Sequence, residues 1–202
     1  MKSWKNSWTM SKKIIGLLFG SFNPVHSGHL MLAQYLVEFS ELEEVWFVVS
    51  PQNPFKKKKT LLNDHHRDEM VRIAVEDNDR FEVSNIEFRM PKPSYTIDTL
   101  THLSEKYPGN DFRLICGTDI LPTFHKWKNH EQIIDNYNIM VYNRPGDWQH
   151  PYENHPSFQF INAPLFDISS SFIRKAIKEK KNLRYFLPDN VYKYILEMHF
   201  YE

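Results

Sequence analysis

The chain has 202 residues, with 25 Lys plus Arg against 25 Asp plus Glu and 41% hydrophobic residues. That length suits one domain with a sizeable core, and a net charge near zero excludes a globally basic nucleic-acid binder. The single cysteine, Cys116, excludes an internal disulfide framework and fits a reducing compartment, and no apolar run approaches the roughly 20 residues that span a bilayer.

Residues 1–13 are polar and basic, carry Trp4 and Trp8, and lack the apolar stretch of a signal peptide. They read as an extension, with Met10 a candidate for the true start, and the domain is expected over 14–202. Ile14 to Phe19 is short, apolar and β-branched at its start, which predicts a buried strand. Gly20 and Pro24 punctuate a turn. From about Gly28 the residues Leu30, Leu32, Ala33, Leu36, Val37 and Phe39 line one side of a predicted helix. His26 and His29 therefore sit where the first strand turns into the first helix. The unpaired N–H groups of a helix start carry partial positive charge and hold phosphate, and imidazoles add donors to the same oxygens. By spacing alone, the pair is equally compatible with a metal site or an ordinary surface.

Val45 to Val49 predicts a second strand buried on both faces, as in a parallel sheet, and strand–helix–strand implies a right-handed crossover. Ser50 to Phe55 breaks the pattern. Lys56 to Lys59 read mostly as a solvated loop, from which Lys56 or Lys57 would reach a phosphate. Asn63 or Asp64 caps a helix running to about Asp77; Phe81 to Ser84 is a strand that Ile86 to Phe88 would continue. Pro91 and Pro93 hold a loop open, Thr96 to Tyr107 is helical, and Pro108-Gly109 ends that helix. Phe112 to Cys116 is the next strand. In Gly117-Thr118-Asp119 directly after it, the glycine permits close backbone approach and the carboxylate can accept from a ribose hydroxyl. The same Asp119 also suits a plain N-cap for Ile120 to Phe124. Trp127 lies in a polar stretch, which hints at a stacking surface. A short helix over Glu131 to Asp135, a strand over Asn138 to Tyr142, a turn at Arg144-Pro145-Gly146, a loop over 147–157 and a strand over Phe158 to Ile161 follow. Ser169, Ser170 and Ser171 precede a helix-patterned run containing Arg174; this is a plain N-cap or an anion seat. Tyr185 to Asp189 reads as a loop and Asn190 to Met198 as a closing helix, with no internal repeat or linker.

His26-Ser27-Gly28-His29 after Gly20-Ser21-Phe22-Asn23-Pro24 resembles the signature of the His-x-Gly-His nucleotidyltransferase superfamily. From about Ile14 onward the chain is similar to the nicotinate-nucleotide adenylyltransferases of bacterial NAD synthesis. The similarity runs through Gly20 to His29, the Ser50–Lys57 loop, Ser94-Tyr95-Thr96, Gly117-Thr118-Asp119 with Trp127, and Ile168 to Arg174. The resemblance implies an α/β fold, a single doubly wound parallel sheet of Rossmann-like type, whose strand-to-helix turns converge on one crevice. It implies that Gly20, Ser21, Phe22, His26 and His29 bind ATP together with Gly117 and Asp119. Ser169, Ser170 and Arg174 would hold the triphosphate, with Ile168 near the adenine. Asn23, Lys56, Lys57, Thr96, Asp119 and Trp127 would bind the mononucleotide, Asp119 at a ribose and Thr96 and Trp127 around the nicotinate ring. His26, His29 and Arg174 would be catalytic.

The implied reaction joins ATP and nicotinate mononucleotide into deamido-NAD and pyrophosphate without a protein nucleophile. Magnesium is expected on the ATP phosphates and water, since the sequence offers no carboxylate cluster for a protein metal site. The expected partners are these small molecules, with no nucleic acid and no membrane; a cytoplasmic location is expected, and a homo-oligomer is left open. Departures from the family pattern are Ser21, Ser171 and Phe55-Lys56, which stands where a Pro-His pair is common. The alternatives are pantetheine-phosphate adenylyltransferase or a cytidylyltransferase, a non-catalytic nucleotide-binding module, and a metal-dependent hydrolase using the histidines.

Overall fold

Six apolar stretches form the strands of one all-parallel sheet in the computed structural model, which describes residues 11–51, 61–148 and 151–202. The strands are β1 (Lys13–Gly20), β2 (Glu44–Val49), β3 (Phe81–Ser84), β4 (Asn110–Gly117), β5 (Ile139–Tyr142) and β6 (Phe158–Ile161). The helices are α1 (Ser27–Phe39), α2 (Asp64–Val75), α3 (Thr96–Lys106), α4 (His130–Asn136), α5 (Ser170–Lys178) and α6 (Asp189–Glu197). The strand order is β3-β2-β1-β4-β5-β6. β1 pairs with β2 on one side (Ile15 opposite Glu44) and with β4 on the other (Ile15 opposite Phe112).

The period-2 alternation of each strand divides the core into two layers. Leu18, Val45, Phe47, Val49, Ile115 and Met140 face the side covered by α1, α2, α5 and α6. Ile15, Leu17, Trp46, Val48, Leu114 and Cys116 face α3, α4 and a 3-10 helix over Thr118–Lys126. Covering both faces explains why the strands read as nearly unbroken apolar runs. The doubly wound fold expected from the sequence is the observed one. Its order reverses between β1 and β4, so the loops leaving those two strands diverge and leave a crevice at their carboxyl ends.

Local chemistry sets the helix starts. The Asn63 side chain accepts from the His65 N–H at 3.0 Å and caps α2. Ser169 does the same for α5, accepting from the Phe172 N–H at 3.2 Å. Ile86 to Phe88 does not extend β3; Ile86–Arg89 is a 3-10 helix, with the Phe88 N–H donating to the Asn85 carbonyl at 2.9 Å. The turn carries Glu87 inward, where two hydroxyls receive its carboxylate, and that hydrogen bonding replaces a strand ladder. No helix among the described residues is long and apolar enough to cross a membrane. The extension expected over 1–13 lies, up to residue 10, outside the described residues, and Lys13 already belongs to β1.

Candidate active site

A cleft of about 830 Å³ opens at the carboxyl ends of β1 and β4. Every expected site residue within the described chain lines it, from Gly20 and Ser21 in the first loop to Ile168, Ser169, Ser170 and Arg174 at the start of α5. Lys56 and Lys57 lie outside the described residues.

The β1–α1 turn is built around a buried aromatic ring. Phe22 is 2% exposed and takes φ 41°, a left-handed conformation rare for a bulky residue. Its ring meets Phe47 with centroids 5.7 Å apart and the edge of His29 at 5.1 Å. A Cβ on Gly20 would come within 2.8 Å of that ring, so this position requires glycine. Gly20 and Phe22 thus shape the turn beneath the cleft more than they offer polar contacts. The next residue, Asn23, is anchored from three directions. Its Oδ1 accepts from the Leu62 N–H at 3.3 Å and the Tyr201 hydroxyl at 2.8 Å, and its carbonyl accepts from Arg174 at 2.7 Å.

His26 stands just before α1. Its N–H donates to His29 Nδ1 at 3.2 Å, and the two rings stack with centroids 3.7 Å apart. With Nδ1 accepting, the proton of a neutral His29 ring sits on Nε2. A Cβ at Gly28 would approach the His26 ring to 3.2 Å, which accounts for the glycine between the histidines. Burial, with a smaller contribution from the Arg144 charge, lowers the His26 pKa to about 4. His26 is therefore a neutral imidazole at pH 7, and any hydrogen bond it donates is that of an uncharged ring.

The start of α5 closes on this turn. Ser170 Oγ donates to the Pro24 carbonyl at 2.8 Å, and Arg174 donates to Asn23 and, at 3.3 Å, to Ser171 Oγ. The Ser169 and Ser170 side chains are thus engaged with backbone groups, and what α5 adds to the cleft is its N-terminal end and Arg174.

On the β4 side, a Cβ at Gly117 would overlap both the Asp119 carboxylate and the Arg144 side chain. Its absence lets those two approach, Arg144 Nε lying 3.9 Å from Asp119 Oδ1. The Arg144 N–H donates to Thr118 Oγ1 at 3.0 Å, fixing the loop after β5. Further along, Trp127 is half-buried against Phe124, with centroids 5.2 Å apart, and shares the cleft wall with Tyr95 and Thr96 at the start of α3. Lys128 pairs with Asp98 at 2.8 Å and rests over the Tyr95 ring at 4.8 Å.

Comparison with known proteins decides the family. The cytidylyltransferase-like family model matches residues 17–176. A Christiangramia forsetii protein named "Probable nicotinate-nucleotide adenylyltransferase" is 52% identical over 195 residues, covering 96% of this chain and 100% of that relative. A Flavobacterium johnsoniae protein of the same name is 50% identical over 93% of this chain and 98% of its own length. The chain belongs to the nicotinate-nucleotide adenylyltransferase family. Among solved structures, Plasmodium falciparum nicotinic acid mononucleotide adenylyltransferase complexed with NaAD shares the fold, with a TM-score of 0.78 at 22% identity over 94% of this chain and 97% of that one.

At or beneath this cleft, three residues fall outside the expected set. Arg144 read only as a turn residue, although its place just beyond a strand's carboxyl end marked it. Glu87 is 2% exposed and accepts from Ser94 Oγ at 2.7 Å and Thr99 Oγ1 at 2.8 Å. Burial pushes its pKa up while those hydroxyls pull the other way. Arg67 is fully buried in α2 and donates to the carbonyls of Ser21 at 2.6 Å, Ser50 at 2.9 Å and Pro51 at 3.3 Å, pairing also with Asp64. It staples the loop after β1 to the loop after β2. No sequence signal marks Arg67, because an arginine in a helix pattern reads as part of a solvated face. Among the described residues, no three His, Cys, Asp or Glu side chains come together to hold a metal ion.

Proposed function

We infer that this cleft transfers the adenylyl group of ATP to nicotinate mononucleotide, giving deamido-NAD and pyrophosphate. One observation carries the reading: the His26–His29 turn, the α5 start with Arg174, and the Thr96–Trp127 wall all line a single cleft. A phosphate oxygen of the mononucleotide attacks the α-phosphorus of ATP. The new P–O bond forms as the bond to the β-phosphate bridging oxygen breaks, and pyrophosphate leaves with that electron pair. The protein supplies placement and charge stabilisation. Cys116 is buried and its thiol is pushed up to about 12, so it contributes no nucleophile.

In this reading, Nε2–H of His29 and the neutral ring of His26 donate to the phosphates as negative charge shifts onto the leaving oxygen. Arg174, braced by the Asn23 carbonyl, sets a fixed positive charge beside them. Gly20, Ser21 and the N-terminus of α5 approach the triphosphate with backbone groups, and Ile168 packs near the adenine. Asp119, with Arg144 beside it, accepts from a ribose hydroxyl. Trp127 stacks on the nicotinate ring, and the free N–H groups at the start of α3, around Thr96, face its carboxylate. Glu87 beneath that turn is masked by its two hydroxyl donors, so the acid form of the ring meets no open negative charge. Magnesium enters this proposal only as a counter-ion brought by the ATP phosphates; no three His, Cys, Asp or Glu side chains gather among the described residues, and no step is assigned to it.

Pyrophosphate release from ATP, measured against nicotinate mononucleotide, nicotinamide mononucleotide and phosphopantetheine, tests the proposal. Turnover is expected with the acid mononucleotide first. Equal kcat/KM with the amide, or preference for phosphopantetheine, would reject it.

A further inference from the structure

The chain after α6 returns to the phosphate-binding turn. The Phe200 N–H donates to the Ile195 carbonyl at 3.1 Å, and the Phe200 ring packs on His66 and Tyr194 with centroids 4.8 and 5.7 Å away. Tyr201 follows in a left-handed conformation, φ 69°. That backbone turn aims its side chain into the molecule, where the hydroxyl donates to Asn23 Oδ1 at 2.8 Å across 178 positions of sequence. The charges of Arg67 and Arg174 both bear on this hydroxyl. Asn23 is the residue whose carbonyl Arg174 grips, and it lies three residues before His26.

We propose that Tyr201 is a positioning residue for adenylyl transfer: its hydroxyl locks the Asn23 side chain, and with it the turn that carries His26 and His29 and braces Arg174. The Leu62 N–H holds the same oxygen from the side of α2, so the asparagine is clamped between two distant segments. Without the phenolic O–H, the Asn23 side chain loses one of the donors that hold it, and the turn is held less tightly. The reacting phosphates and the imidazole donors then lose the sub-ångström alignment on which in-line transfer depends. The loss falls on the transition state, because ground-state contacts to base, ribose and nicotinate ring are untouched.

This proposal rests on the adenylyl-transfer reading, which the unaltered protein tests by its own pyrophosphate release. Tyr201→Phe keeps the ring and removes only the hydroxyl. It is expected to lower kcat about fivefold to tenfold, the worth of one hydrogen bond, while each KM moves less than about twofold. Tyr194→Phe is the control: its hydroxyl bonds His66 Nδ1 at 2.9 Å in the same region, and its loss leaves kcat unchanged. In an Asn23→Ala background, adding Tyr201→Phe is expected to cost almost nothing further, since the shared partner is gone. Amide hydrogen exchange supplies a readout independent of activity, with exchange across residues 21–27 faster in Tyr201→Phe and exchange in α6 unchanged. Unchanged kcat and unchanged exchange in Tyr201→Phe, or an undiminished kcat loss in the Asn23→Ala background, would overturn the proposal.

Discussion

The two walls of the cleft are built by different means. The β1–α1 turn is fixed at three carbonyls: by the buried Arg67 on Ser21, and by the half-buried Arg174 on Asn23 and Ser170 on Pro24. The Thr96 end of the other wall rests on the buried Glu87, which accepts from Ser94 and Thr99, whereas its Trp127 end is held by aromatic packing and by a Lys128–Asp98 pair whose side chains are 43% and 42% exposed. Exposed ion pairs contribute little, whereas unpairing a buried donor or acceptor is expensive. The first wall, held directly at three of its carbonyls, is therefore the rigid one beside the Trp127 end of the second. The difference suits the chemistry: transfer at phosphorus tolerates little misplacement, while recognition of a flat ring by a stacking surface tolerates more.

If the rigid wall carries the chemistry, damage there should fall on turnover. His29→Ala is expected to lower kcat by about 10²–10³-fold with little change in melting temperature, the usual loss for one transition-state donor. His29→Asn, which keeps one N–H donor, should fall between the two. Steady-state kinetics at saturating ATP and mononucleotide checks this, and near-normal kcat in His29→Ala would erase the distinction between the walls. Damage on the other wall should appear as binding. Trp127→Ala is expected to raise KM for the mononucleotide by an amount matching about 1–3 kcal/mol of stacking, with KM for ATP little changed. An equal rise in both constants would show that the tryptophan supports the cleft as a whole.

A smaller effect separates the walls by pH. His26 has a folded-state pKa of about 4 against an ordinary 6.5, so between those values the unfolded chain takes a proton that the folded chain refuses. Its contribution to stability is present above pH 6.5, is lost as pH falls toward 4, and amounts to roughly 3 kcal/mol. Denaturant unfolding across that range should be steeper in pH for the unaltered protein than for His26→Gln. Parallel curves would mean that His26 titrates in the fold as it does in water.

Much of the rigid wall was legible because its requirements are local. Gly20, Gly28 and Gly117 are glycines because rings or side chains occupy the space of a Cβ, and such constraints fall within a few residues of one another. The six strands were legible as apolar runs because a sheet covered on both faces needs them. What escaped notice depends on contacts far apart in sequence. Arg67 reaches Ser21 across 46 positions and Tyr201 reaches Asn23 across 178, and neither has a neighbour that betrays its burial. Glu87 was hidden differently: Ile86 and Phe88 beside it carry a strand's alternation, and only the hydroxyls of Ser94 and Thr99 turn the segment into a 3-10 helix.

Cys116 carries a practical consequence. Its thiol is 3% exposed and titrates at about 12, so at neutral pH almost none of it is the thiolate that alkylating reagents attack. In the unfolded chain the same sulfur is accessible and far more acidic. Slow alkylation of the native protein therefore reports opening around the carboxyl end of β4, where Cys116 borders the cleft, and because the sequence has one cysteine, every labelled molecule records that one position.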